Sequence, residues 1–137
     1  MNVQYVGSRP HKAHETDACY DLTSAISKTL MPFERSLFPT NFKCNVPEGF
    51  VLLVCSRSGL ALNRGLFVLN APGIVDPHYT GDIGVILCNM DSEPQTISEG
   101  DRIAQVMIVC PEVIEFCRVP KLIPYGRATD GFGSSGK

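Results

Sequence analysis

Residues 42–55 read FKCNVPEGFVLLVC, and the fold class turns on them. Phe42, Cys44 and Val46 alternate with polar residues, the period-2 pattern of a strand that buries one face. Pro47-Glu48-Gly49 is a turn with a mechanism, because Pro presets φ and Gly admits positive φ. Residues 50–55 then run apolar without a break, which predicts a strand buried on both faces. Working outward, 3–6 form a short opening run, and IGVILC (83–88) and IAQVMIV (103–109) repeat the continuous pattern. These runs are rich in Val and Ile, as strands are. DSEP (91–94) and SEGD (98–101) read as turns. Apolar runs separated by turn chemistry at roughly 8–12 residues predict an all-β sandwich or barrel. One short helix is expected at 58–64, with Ser58 as N-cap and Gly65 closing it. Residues 120–137 lack periodicity, and 131–137 are nearly all Gly and Ser, the composition of a disordered tail.

The chain has 137 residues, about one domain, and it is long enough to bury a core without metal or disulfide. Twelve Gly and ten Pro punctuate it too heavily for a helical bundle. Twelve basic against fourteen acidic residues give a net charge of -2, so no nucleic-acid footprint shows in the bulk composition. No apolar stretch approaches the roughly 20 residues of a membrane span, and no leader pattern opens the chain. The expectation is an intracellular, soluble protein of cytoplasm or nucleus. Its six cysteines (Cys19, Cys44, Cys55, Cys88, Cys110, Cys117) then read as reduced thiols. No C-x-x-C occurs, and His11, His14 and His78 do not fall at zinc spacing.

Four segments carry candidate chemistry, each with a plain alternative. SRSG (56–59) opens the short helix, whose free N–H groups, with Arg57 and Ser58, suit a phosphate. Taken alone, it reads more readily as a plain capped turn with a surface Arg. Residues 70–82 place turn chemistry around a short apolar piece, a hairpin-like excursion whose backbone could read a heterocycle between Asp76 and Tyr79. The plain reading is an Asp-Pro turn with an exposed Tyr. In GDRIAQ (100–105), Arg102 and Gln105 are outward positions on a buried strand. The tail contains Gly131-x-x-x-x-Gly136-Lys137, but a phosphate loop of that kind needs Ser or Thr next and then a helix, and neither follows in this sequence. Such a tail could still wrap a nucleotide, with Phe132 on a base and Arg127, Ser134 and Ser135 on phosphates.

Taken in order, DACYDL (17–22), SRSG (56–59), GIVDPHY (73–79) with Gly81, GDRIAQ (100–105) and RATDGFGSSG (127–136) resemble the five signature motifs of the trimeric deoxyuridine triphosphatase (dUTPase) family. The resemblance implies a distorted jelly-roll barrel of the β-clip type, with one short helix and a flexible C-terminal tail. It implies a single domain over 1–137, a core to about 119 and an arm and lid over 120–137, assembled as a homotrimer with shared active sites. The implied reaction is Mg-dependent hydrolysis of dUTP to dUMP and pyrophosphate, which limits uracil incorporation into DNA and supplies dUMP.

By the same resemblance, Asp76 orients the attacking water and Tyr79 packs under deoxyribose. Residues 70–73, with Asn70 and Gly73, read uracil. Arg57, Ser58, Gly59 and Gln105 bind phosphates, and Asp21 holds Mg2+ through water. Phe132 covers the base, while Arg127, Gly133, Ser134 and Ser135 close on the β and γ phosphates. The chain departs from the family pattern at Cys19, Ser56, His78, Thr80, Ala128 and Asp130. Ser56 and Cys19 are expected to need no side chain for any role. Ala128 and Asp130 are expected to weaken lid closure without loss of chemistry.

Two alternatives stand beside this reading. A dCTP deaminase shares the barrel but needs a catalytic Glu near the base, which residues 70–73 lack. A dUTPase-like trimer acting as a binding module for a regulatory protein would leave no mark in the sequence. No membrane and no nucleic-acid partner is expected.

Overall fold

A computed structural model describes residues 1–123. Along them run β1 (Tyr5–Gly7), β2 (Tyr20–Thr23), β3 (Lys28–Leu30), β4 (Arg35–Phe38), β5 (Phe42–Cys44) and β6 (Val51–Cys55). Then follow α1 (Ser58–Arg64), β7 (Leu66–Val68), β8 (Gly73–Val75), β9 (Val85–Asn89), β10 (Gln95–Ile97) and β11 (Arg102–Val109). A four-stranded sheet has the order β2-β11-β6-β8 and a three-stranded sheet the order β4-β9-β7. The pairs β1-β5 and β3-β10 complete the shell, and every pairing is antiparallel. The fold is an all-β distorted jelly roll, as expected.

A single core cluster draws on all four sheets. Leu22, Leu52 and Val106 come from the four-stranded sheet, Phe38 and Leu87 from the three-stranded one, Leu30 and Ile97 from β3-β10, and Phe42 and Cys44 from β5. The alternation read at 42–46 holds, with Phe42, Cys44 and Val46 buried and Lys43 and Asn45 exposed. The turn after it closes through the Phe50 N–H on the Pro47 carbonyl at 3.1 Å, and Gly49 takes φ +78°.

Four local expectations need correction. First, β6 and β11 are not buried on both faces: Leu52, Val54 and Val106 are buried, while Val51, Leu53, Cys55, Gln105 and Met107 are half-exposed. That outer face continues through Met107, Val109 and Ile74 of the flanking strands, and nothing among the described residues covers it. Second, the opening strand lies at Tyr5–Gly7, not 3–6, as an exposed partner of β5. Third, Ser58 is the first helical residue and Arg57 is the N-cap, with extended φ -92° and ψ 123°. The Arg57 carbonyl accepts the first helical bond, from Ala61 at 3.0 Å. Gly65 closes the helix as expected, at φ +59°. Fourth, the excursion expected at 70–82 is not a hairpin, and its opening turn, 69–72, links two sheets. β7 pairs with β9 and β8 with β6, so this turn carries the chain from one sheet to the other.

Beyond β11, residues 110–123 carry no helix or strand and are exposed, Val113 to 99% and Phe116 to 90%. Among the described residues no helix is long and apolar enough to cross a membrane.

Candidate active site

Strand register assembles the first half of the site. In the four-stranded sheet Asp21 lies opposite Gln105, and Gln105 opposite Cys55. These three therefore share the outer face. A bulge in β11 between Arg102 and Ala104 breaks the alternation there, so that Ile103 and Ala104 are both buried. Without that extra residue Arg102 would share the inward face of Ala104. With it, Arg102 turns outward beside Asp21, the kind of re-aiming that bulges perform.

The Asp21 carboxylate is then gripped from two sides. Arg57 Nε donates to Oδ1 at 2.9 Å, and Arg102 Nη1 to Oδ2 at 3.2 Å. Arg57 Nη1 also donates to the Arg102 carbonyl at 2.9 Å. Gln105 Nε2 donates to the Ser56 carbonyl at 3.1 Å. Arg57, Arg64 and Arg102 line a pocket of about 200 Å³, with Asp101 at its side. Ser58 and Gly59 are the first two residues of α1, directly after Arg57. The N-cap makes no side-chain hydrogen bond and the first turn has no acidic residue, which leaves the first N–H groups of the helix without a side-chain acceptor.

The second half lies after β8. Asp76, Tyr79 and Asp82 line a pocket of about 220 Å³ with Ile74 and Val75. Tyr79 Oη donates to the Asp82 carbonyl at 3.0 Å, and Asp82 Oδ2 accepts the Thr40 N–H at 3.0 Å. Between Asp76 and Tyr79, His78 takes φ +69°, and its Nε2 pairs with Glu48 Oε2 at 2.8 Å on the surface. Asn70 folds its amide toward Gly73, where a Cβ would meet Nδ2 at 3.2 Å. A side chain at 73 would therefore push that amide aside.

The two halves stand apart in one chain. Val75 pairs with Leu52, so Asp76 lies level with Val51, whereas Asp21 lies level with Cys55. Four residues along a strand are roughly 13 Å, and the three strand spacings from β2 to β8 are roughly 14 Å. The structure thus brings Asp21, Arg57, Ser58, Gly59 and Gln105 together, and separately Asn70, Gly73, Asp76 and Tyr79. Arg127, Phe132, Gly133, Ser134 and Ser135 lie outside the described residues.

Sequence reasoning missed two contributors. Arg102 was read only as an outward strand position, although it stands three residues before Gln105 in the same motif. Ser56 does use its side chain, contrary to expectation: its Oγ accepts the Val68 N–H at 2.9 Å and ties β7 to the strand that leads into the helix. Cys19 sits near this cluster. Burial, and then the neighbouring Cys55 and Asp21, push its thiol above the ordinary range.

An all-β shell with one arginine-lined pocket and one carboxylate–tyrosine pocket has the chemistry that suits a polar, anionic ligand. Comparison with known proteins narrows this class. The family model described as dUTPase matches residues 7–136. The deoxyuridine 5'-triphosphate nucleotidohydrolase of Clostridium novyi is 42% identical over 127 residues, 93% of this chain and 89% of the relative. The solved dUTPase of Staphylococcus bacteriophage 80alpha with dUpNHpp superposes with a TM-score of 0.86 at 28% identity, covering 99% of both chains. A variant dUTPase of phage phi11 of S. aureus, solved with attention to a structural Mg(II) ion, gives 0.79 at 27% identity over 89% of this chain and 99% of that one. The chain belongs to the dUTPase family.

Proposed function

We propose that the chain hydrolyses dUTP to dUMP and pyrophosphate in sites shared between neighbouring copies of a homotrimer. One observation carries this reading. The anion pocket at Arg57 and the Asp76–Tyr79 pocket sit at opposite edges of one sheet, a separation too long for a single nucleotide, which favours a site completed by the matching pocket of a neighbouring copy. Two apolar outer faces support the assembly. One is the half-exposed row of β6 with Met107 and Ile74. The other is the outer face of β4-β9-β7, where Leu37 pairs with Ile86 and is 61% exposed. The exposed stretch 110–123 favours an arm that leaves the core earlier than residue 120. Residues 1–137 are then one domain with that arm and lid.

In the reaction, Asp76 accepts a proton from the attacking water as its oxygen bonds to the α-phosphorus. The bond from that phosphorus to the bridging oxygen breaks, and pyrophosphate leaves with the electron pair. Arg57, Ser58, Gly59 and Gln105 hold phosphate oxygens on which charge gathers in the transition state. Tyr79 supports deoxyribose, and Asn70 with the 70–73 turn reads uracil. Arg127, Phe132, Gly133, Ser134 and Ser135 complete the enclosure.

Among the described residues no cluster of three or more His, Cys, Asp or Glu forms a direct metal shell. Asp21 fits a hold on Mg2+ through water, because each oxygen accepts one guanidinium N–H and keeps a second lone pair. Mg2+ retains several waters and takes carboxylates sparingly beside substrate phosphates. Bound there, it would neutralise phosphate charge. Six unpaired cysteines favour a reducing, intracellular setting.

The test is pyrophosphate release from dUTP, dCTP, dTTP and UTP with Mg2+ present, comparing wild type with Asp76→Asn. Release from dUTP alone, lowered at least ~100-fold in the variant, is the expected result. An assembled protein inert on all four would sink the enzymatic reading and favour a regulatory binding module.

A further inference from the structure

We infer that Gly81 is a positioning residue for sugar selectivity, the bare backbone on which the Tyr79 ring is seated. A Cβ built at 81 would fall 2.6 Å from Tyr79 Cζ, a distance real side chains do not tolerate, and a tight 3.1 Å from Cε2. Gly81 is not among the residues with positive φ, so the backbone itself does not require glycine there. The space for the ring does.

The tip of the ring is fixed as well. Tyr79 Oη donates to the Asp82 carbonyl at 3.0 Å. Asp82 is in turn bolted to the core, because its Oδ2 accepts the N–H of Thr40, and Thr40 Oγ1 donates to the Ile83 carbonyl at 2.7 Å. Thr40 is 1% exposed. The ring thus lies close over the bare Gly81 backbone and is held at its end by a hydrogen bond anchored in the interior. Tyr79 nevertheless remains 49% exposed and lines the same pocket as Asp76, so one face stays open to a ligand. Deoxyribose and ribose differ by one hydroxyl. Excluding that hydroxyl with a flat ring works only if the ring cannot back away, and Gly81 with the Asp82 carbonyl sets where it stops. The inference rests on Tyr79 packing under the sugar.

The experiment measures kcat/KM for dUTP and UTP in wild type, Gly81→Ala, Tyr79→Ala and the double variant, with melting temperature and assembly state followed alongside. Displacing the ring by an ångström or so should lower the preference for dUTP by about 10-fold or more, mainly through a raised KM for dUTP. Tyr79→Ala should lower it comparably. The double variant should be no worse than Tyr79→Ala, because no ring remains to be displaced. An unchanged preference in Gly81→Ala, or losses that add in the double variant, would overturn the proposal. Should Gly81→Ala fail to assemble, the double variant is expected to assemble, and its failure too would count against the ring as the reason for glycine. If Tyr79→Ala alone keeps full preference, it is the sugar-packing reading of Tyr79 that falls, and this proposal falls with it.

Discussion

Arg57 Nε lies 2.9 Å from Asp21 Oδ1, joining the residue that opens the only helix among the described residues to an edge strand 36 residues earlier. This contact orients the guanidinium before any ligand arrives, and Arg102 holds the other carboxylate oxygen. Preorganisation of this kind is what makes charged groups effective toward developing phosphate charge.

Asp21→Asn should therefore loosen both guanidinium groups at once. Turnover of dUTP is expected to fall about 100-fold, read from steady-state kinetics. The stability loss should stay near 1–2 kcal/mol in urea melts, because the pair is only partly buried. Unchanged kinetics would mean that the grip on Arg57 is incidental.

If each site takes Asp76 from one copy and Arg57 from a neighbour, two inactive variants should rescue each other. Asp76→Asn and Arg57→Ala chains, refolded together in equal amounts, are expected to recover about a quarter of wild-type activity, since half the chains supply each intact part and a head-to-tail seam pairs them at random. No recovery in mixtures whose exchange is verified would place both residues in one copy's site.

Asn89 is fully buried. Its Nδ2 donates to the carbonyls of Leu30 and Glu93, at 3.1 and 2.9 Å, and its Oδ1 accepts the Asp91 N–H at 2.9 Å. Asn89→Ala leaves those main-chain groups without their partner. A loss of about 2–4 kcal/mol is expected from denaturant melts, with the site chemistry of any remaining folded protein intact.

Burial pushes the Cys44 thiol above its ordinary value of 9.0. A raised folded-state value means that the folded chain keeps a proton which the unfolded chain gives up. The associated stability is complete below pH 9 and drains away as pH climbs through the folded-state value. Urea midpoints measured from pH 8 upward should decline less steeply in Cys44→Ala than in wild type. Parallel declines would exclude a contribution from this thiol.

The sequence made some of this architecture legible and hid the rest for physical reasons. Alternation at Phe42, Cys44 and Val46 survives folding because one face meets the core and the other meets water. The run 50–55 misled because an apolar side chain looks the same in a sequence whether it faces the core or the outside of the sheet. β2, β3, β4, β7 and β10 are three or four residues long, too short for a period to show in the sequence. The site motifs were legible as patterns, yet the grip of Arg102 on Asp21 was not. It depends on a bulge, and one unpaired residue in a ladder has no signature in composition. The hydroxyl of Ser56 was passed over because a small polar side chain after a strand gives no hint of the N–H it will meet twelve residues on.

The exposed stretch 110–123, with Val113 and Phe116 almost wholly in water, bears on how the amount of enzyme follows the amount of chain made. In the proposed homotrimer these side chains stay in water until other copies cover them, so capture by copies competes with capture by chaperones and proteases. Capture by copies is a collision between chains and speeds up with their number, whereas triage does not. Output of working enzyme should therefore climb more steeply than synthesis when synthesis is low, and become proportional to it once copies meet readily.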